Sequence, residues 1–251
     1  MEGALLGLFM IVACNLATLL EHPASPVRQA LPDGTLRRLL MGMAMGLTAV
    51  TLIYSPWGQQ SGAHMNPSLT LTYYRLGKIE PADALWYVVG QFVGGIAGVL
   101  LIRVTLGALA AHPAVRFAAT VPGSAGSATA FLAEAAISFV LMSVVLIASN
   151  SLRVTRYTPL LCGLLVATYI ALEAPISGMS MNPARSFASA LAAWRWTALW
   201  IYFTAPPLGM LAAAEAYVRL HGVRRVLCAK LNHQTRRRCI FRCNFGALGQ
   251  R

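Results

Sequence analysis

The chain has 251 residues, of which 57% are apolar and only 11% charged, against about 25% charged in an average soluble domain. That imbalance excludes a pair of ordinary soluble domains and points to lipid as the principal solvent. The net charge of +12 does not make nucleic acid an expected partner, because nine of the twenty Lys and Arg lie between Arg219 and Arg251, where no acidic residue occurs. A basic stretch beside membrane segments reads instead as a cytoplasmic anchor drawn to anionic headgroups.

Crossing a bilayer takes about 20 largely apolar residues, and six stretches qualify: 3–20, 39–56, 84–106, 129–149, 159–175 and 197–218. The first lacks the basic n-region of a cleaved signal peptide and is kept as a span. Polar and Pro-rich punctuation separates the spans, as at His22, Pro23, Ala24, Ser25 and Pro26, and again at Val121, Pro122, Gly123 and Ser124. The second of these loops divides the chain into halves, residues 1–107 and 129–220, which form one domain over 1–220 followed by a basic cytoplasmic tail over 221–251. With both termini cytoplasmic, that side collects thirteen Lys and Arg, namely Arg75, Lys78, Arg153, Arg156 and the nine of the tail, against five or six opposite. The positive-inside rule favours this orientation, and the plasma membrane is the expected location.

The halves repeat one another. Glu2 opens the first span and Glu134 the fourth. After the second span of each half comes a small-residue run into Asn-Pro: Ser61, Gly62, Ala63, His64, Met65, Asn66, Pro67, Ser68 in one and Ser177, Gly178, Met179, Ser180, Met181, Asn182, Pro183, Ala184 in the other. Asn is a strong helix N-cap and Pro is favoured at the first helical position, so each motif launches a helix. The apolar residues that follow, 67–76 and 183–193, span about 15 Å, half a bilayer. Three full spans separate the motifs, so the half-helices enter from opposite faces and meet tip to tip. The expected fold is therefore an all-α membrane protein of six transmembrane helices plus two re-entrant half-helices in an inverted internal repeat.

Irregular backbone at mid-membrane depth is tolerated only where protein buries it or it lines a wet cavity. Two helix starts place roughly half a positive charge each at that cavity, which repels cations. The Asn66 and Asn182 amides can donate to a passing oxygen, and the carbonyls of Gly62, Ala63, His64, Gly178, Met179 and Ser180 form a ladder of acceptors. This suits a small neutral solute moving in single file. Arg185 falls on the first turn of the second half-helix, facing the cavity near its outer mouth. Glu2 and Glu134 read as structural acceptors for loop backbone or for His64.

At these residues the chain resembles the major intrinsic protein family, the aquaporins and glycerol facilitators, on SGAHMNPSLT at 61–70, MNPARSFASAL at 181–191, GQFVGG at 90–95 and the paired glutamates. The resemblance covers residues 2 to about 220 and implies a right-handed bundle, one pore per subunit and a homotetramer. Ser68 stands where the first motif usually carries Ala. The family's four filter positions fall at Met45, Ile170, Met179 and Arg185, a rim without the bulky aromatic and the His of strict water channels. Ser186, Ala190, Tyr202 and Phe203, conversely, resemble water channels rather than glycerol facilitators. The resemblance implies passive conduction of water, with glycerol, ammonia or neutral metalloid acids as alternative solutes.

An ion-coupled secondary transporter shares inverted repeats and broken helices, but the spans offer only Glu2, Glu134, Glu173 and Glu215 as acids and no paired cluster. Nor is an enzyme expected, because Ser61 and Ser68 lie too close in sequence to His64 to argue a dyad. No cofactor or metal is expected. Cys228, His233, Cys239 and Cys243 match no familiar zinc spacing, so reduced, unpaired thiols are the ordinary expectation for the tail.

Overall fold

In the computed structural model, which describes residues 1–233, 235 and 237–245, the body is built from eight principal helices. Six are long: α1 (Glu2–Glu21), α2 (Gly34–Tyr54), α4 (Pro81–Leu106), α5 (Gly126–Ser149), α6 (Thr158–Leu172) and α8 (Trp200–His221). The other two are half as long, α3 (Pro67–Arg75) and α7 (Pro183–Ala193). Arg236 and Arg251 of the basic tail lie outside the described residues. Five long helices have the length and apolarity to cross a membrane; α8 matches them in length but carries Glu215, Arg219 and His221 near its end.

Helix starts follow local chemistry. The Asp33 carboxylate accepts from the backbone N–H groups of Thr35 (2.7 Å) and Leu36 (3.5 Å), which starts α2 five residues before its apolar run. Proline occupies the first turn of α3, α4 and α7, where its missing N–H costs nothing.

Packing repeats between the halves. The main contact of α1 is α4, that of α5 is α8, and α2 meets α6 across the boundary between the halves. Both intra-half contacts bring backbones together at small residues, the usual way membrane helices associate without a hydrophobic drive. A methyl group at Gly94 would lie 1.9 Å from the Gly3 carbonyl oxygen, and one at Gly209 would lie 2.3 Å from that of Ala135. The bundle's exterior is more apolar than that of a soluble protein. Leu47, Val104 and Leu132 stand exposed on the outside while Thr70, Gln91, Glu134 and Ser138 are fully buried. Such an apolar exterior fits a lipid surround.

Candidate functional site

The two half-helices begin at Asn66 and Asn182. The Asn66 side-chain oxygen accepts from Ser68 N–H (2.9 Å), and that of Asn182 accepts from Ala184 N–H (3.1 Å) and Arg185 N–H (3.2 Å). Their amide nitrogens then cross over: Asn66 donates to the carbonyl of Met181 and Asn182 to the carbonyl of Met65, both at 2.7 Å. The tips of α3 and α7 are thereby tied to each other. Because an amide NH2 carries two hydrogens, each asparagine retains one N–H beyond this bond, and both residues line the central cavity.

The segments entering the tips have matching backbone. Gly62, Ala63 and Met65 in one and Gly178, Met179 and Met181 in the other all have φ between 49° and 90°. Left-handed conformation is unfavourable for residues with a Cβ, so something must hold it. Each buried glutamate does so. Glu134 accepts from Ser177 Oγ and from the N–H groups of Ser180 and Met181, all at 2.7 Å. Glu2 accepts from Ser61 Oγ (2.6 Å), His64 N–H (3.1 Å), Met65 N–H (2.6 Å) and Gln91 Nε2 (2.9 Å). Tyrosines complete the pair, Tyr87 donating to the Ser61 carbonyl and Tyr202 to that of Ser177. These tyrosines gave no sequence signal as anchors, since an aromatic residue in an apolar span reads as packing.

A cavity of about 330 Å³ lies within the bundle, with Glu21, Arg38 and Leu231 among the residues that line it. Met45, Ile170, Met179 and Arg185 all line it, as do Ala63, His64, Gly178 and Ser180. The Arg185 guanidinium donates to the Ala118 carbonyl (2.8 Å), which aims it into the cavity. Pro67, Ser68, Pro183 and Ala184 are buried in the first turns behind the asparagines. The Gly62 carbonyl is placed differently from the rest of the ladder. It accepts from Leu231 N–H at 3.2 Å, so its acceptor faces the tail rather than the cavity.

That contact belongs to an arrangement the sequence did not announce. His64 Nε2 donates to the Ala229 carbonyl (2.8 Å), its Nδ1 meets Thr70 Oγ1 (3.0 Å), and its ring lies parallel to that of Phe241 with centroids 5.4 Å apart. Val226, Leu227, Cys228, Ala229, Lys230 and Leu231 are all buried. An apolar run of four residues between basic ones is too short to show a helical or strand period, so in sequence this stretch reads only as a basic anchor.

The family model described as Major intrinsic protein matches residues 3–217. Among similar proteins, Aquaporin NIP1-4 of Oryza sativa subsp. japonica is 34% identical over 187 residues, covering 73% of this chain and 66% of its own length. Aquaporin NIP3-1 of Zea mays is 33% identical over 196 residues, covering 77% of this chain and 63% of its own. The chain thus spans less than two thirds of these relatives' length. The X-ray structure of the aquaglyceroporin from Plasmodium falciparum superposes with a TM-score of 0.65 over 86% of this chain and 93% of that one, at 17% identity, a likeness of fold alone.

Proposed function

Because the chain belongs to the major intrinsic protein family, we propose that it is a passive transmembrane channel for water and other small uncharged solutes. The observation that carries this reading is the pair of reciprocal asparagine bonds, which bring two helix N-termini to one point on the central cavity. Each start contributes roughly half a positive charge. The remaining N–H of each asparagine donates to a solute oxygen, and the carbonyls of Ala63, His64, Gly178 and Ser180 accept its hydrogens before and after. A neutral molecule with lone pairs exchanges water contacts for these at little cost. A cation meets two positive helix ends and the Arg185 guanidinium. In this reading both termini are cytoplasmic, the membrane is the plasma membrane, and the assembly is the homotetramer that the family resemblance implies.

Vesicles containing the protein are expected to shrink faster than empty ones after an osmotic step. No acceleration for water, glycerol, urea, ammonia or a neutral metalloid acid, together with proton-dependent uptake of one solute, would establish a coupled transporter instead. Met45, Ile170 and Met179 favour a second emphasis within the same reading. A rim of apolar, flexible side chains around one arginine discriminates weakly by size, so glycerol-sized solutes are expected to pass beside water. Replacing Arg185 with alanine removes the positive charge of that rim. We expect a rise of about tenfold in proton or sodium leak, the equivalent of about 1.4 kcal/mol off the barrier, read with a pH-sensitive dye in the same vesicles. An unchanged leak would show that the helix ends alone exclude cations.

A further inference from the structure

We infer that Cys228, His233, Cys239 and Cys243 form a binding site for a zinc-type divalent cation that locks the C-terminal tail as a plug in one mouth of the passage. One ligand atom from each residue lies within 4.8 Å of all the others. Two contacts are closer, Cys228 Sγ to Cys239 Sγ at 3.4 Å and His233 Nε2 to Cys243 Sγ at 3.0 Å. Tetrahedral zinc, with bonds of about 2.3 Å to sulfur and about 2.0 Å to nitrogen, sets ligand atoms about 3.5–3.8 Å apart. The cluster therefore needs only small side-chain adjustments to close on an ion. Three thiols and an imidazole select a borderline-soft cation and not magnesium or calcium, which prefer oxygen.

Charge supplies an independent argument. Three thiolates around a dication leave the site with one net negative charge. Lys230 is 1% exposed, and its ammonium has no hydrogen-bond acceptor among the described residues. A buried ammonium without a counter-charge is costly. Lys230 stands two residues from Cys228 in the chain, so the negative charge of the occupied site falls beside the ammonium. The ligands are also braced: the His233 ring stacks on Phe245 with centroids 4.3 Å apart, and Phe245 N–H donates to Cys243 Sγ (3.4 Å).

The plug contacts alternate with the ligands along the chain. Ala229 and Leu231, which bond His64 and Gly62, lie between Cys228 and His233, and Phe241, which stacks on His64, lies between Cys239 and Cys243. Fixing the four ligands fixes both arms that carry these contacts, and Leu231 lines the cavity on the tail side. Without the ion the two arms lose the link through its four ligands, and in metal-built sites the binding free energy adds directly to the folding free energy. Metal release then frees the mouth. This control of conduction rests on the channel reading, whereas the metal site does not.

The test uses the full-length protein in two steps. Titration of detergent-purified, reduced protein with Co2+ should show one equivalent bound, with the strong sulfur-to-cobalt and tetrahedral ligand-field bands, bleached by Zn2+. The double variant Cys239→Ser, Cys243→Ser should lack both bands. No thiolate band in the wild type, or a Cys228 to Cys239 disulfide that persists after reduction, overturns the site. In vesicles with the tail side accessible, Zn2+ should remove the protein-dependent osmotic shrinkage of the wild type, a chelator should restore it, and the double variant should shrink quickly in both conditions. Equal wild-type rates with and without bound metal overturn the plug. If metal binds but neither wild type nor variant exceeds empty vesicles in any condition, the channel reading itself fails and the metal site stands.

Discussion

Glu134→Ala is expected to abolish solute permeation and to prevent recovery of folded protein, although residue 134 does not line the passage. Its two carboxylate oxygens receive three donors, Ser177 Oγ, Ser180 N–H and Met181 N–H. Alanine leaves all three buried and unpaired, at about 1–3 kcal/mol each. A loss of about 3–9 kcal/mol is comparable with the entire stability of many domains, about 5–15 kcal/mol. The same bonds hold Met179 and Met181 in left-handed conformation, so a surviving fold would still misdirect the carbonyl ladder and the acceptor of Asn66. Glu134→Gln is the informative partner. One amide oxygen can serve Ser177 and Ser180 while the NH2 group opposes Met181 N–H, so roughly one bond is lost instead of three. Thermal unfolding in detergent and osmotic shrinkage should rank wild type above Gln and Gln far above Ala. Equal stability of Ala and wild type would sink the anchoring role.

Gly94→Ala should fail equally badly, for a steric reason. The added methyl would sit 1.9 Å from the Gly3 carbonyl oxygen and 2.3 Å from its carbonyl carbon and Cα, and backbone atoms cannot rotate out of the way. Relief requires α4 to back away from α1. That displaces Gln91 from Glu2, to which it donates at 2.9 Å, and loosens the first loop. Gly90→Ala one turn earlier is the control, because the nearest atom to its methyl would be Gly3 N at 3.8 Å. There the change is expected to be neutral or slightly stabilising, since alanine is favoured over glycine in a helix by about 0.5–1 kcal/mol. Monodisperse yield on size exclusion reads the contrast, and comparable yields for the two variants would mean that the helices are not in close backbone contact.

The six long helices and two short ones were legible because lipid imposes a coarse rule, apolar length, that survives without any knowledge of packing. Their ends were less so. The helix expected to start at 39 begins at Gly34, because Arg37 is buried against Glu21 (3.1 Å) and belongs to the helix despite its charge. The last helix continues to His221, and on this end Glu215 pairs with Arg75 (2.6 Å). At the first of these an ion pair between distant segments accompanies the polar extension of the helix, a contact that one-dimensional patterns do not contain. Within the candidate site, the helix-capping role of Asn66 and Asn182 follows from local chemistry and could be read directly. Their bonds to Met181 and Met65 could not, since each depends on the other half being in place. The tail was the least legible part. Its buried residues form one short run, 226–232, with arginines on either side, and the cysteines that converge in space are irregularly spaced in sequence.

The crossed asparagine bonds also impose an order of events during synthesis. Asn66 finds its acceptor 115 residues further along the chain, and at about 5–20 residues per second the ribosome needs on the order of ten seconds to deliver it. Throughout that interval the first half-helix waits with an unclosed tip and no opposing partner. The insertion machinery must therefore shelter a half-made segment from lipid until the second half arrives, so a chain interrupted between residues 75 and 181 would be destined for degradation and not for assembly.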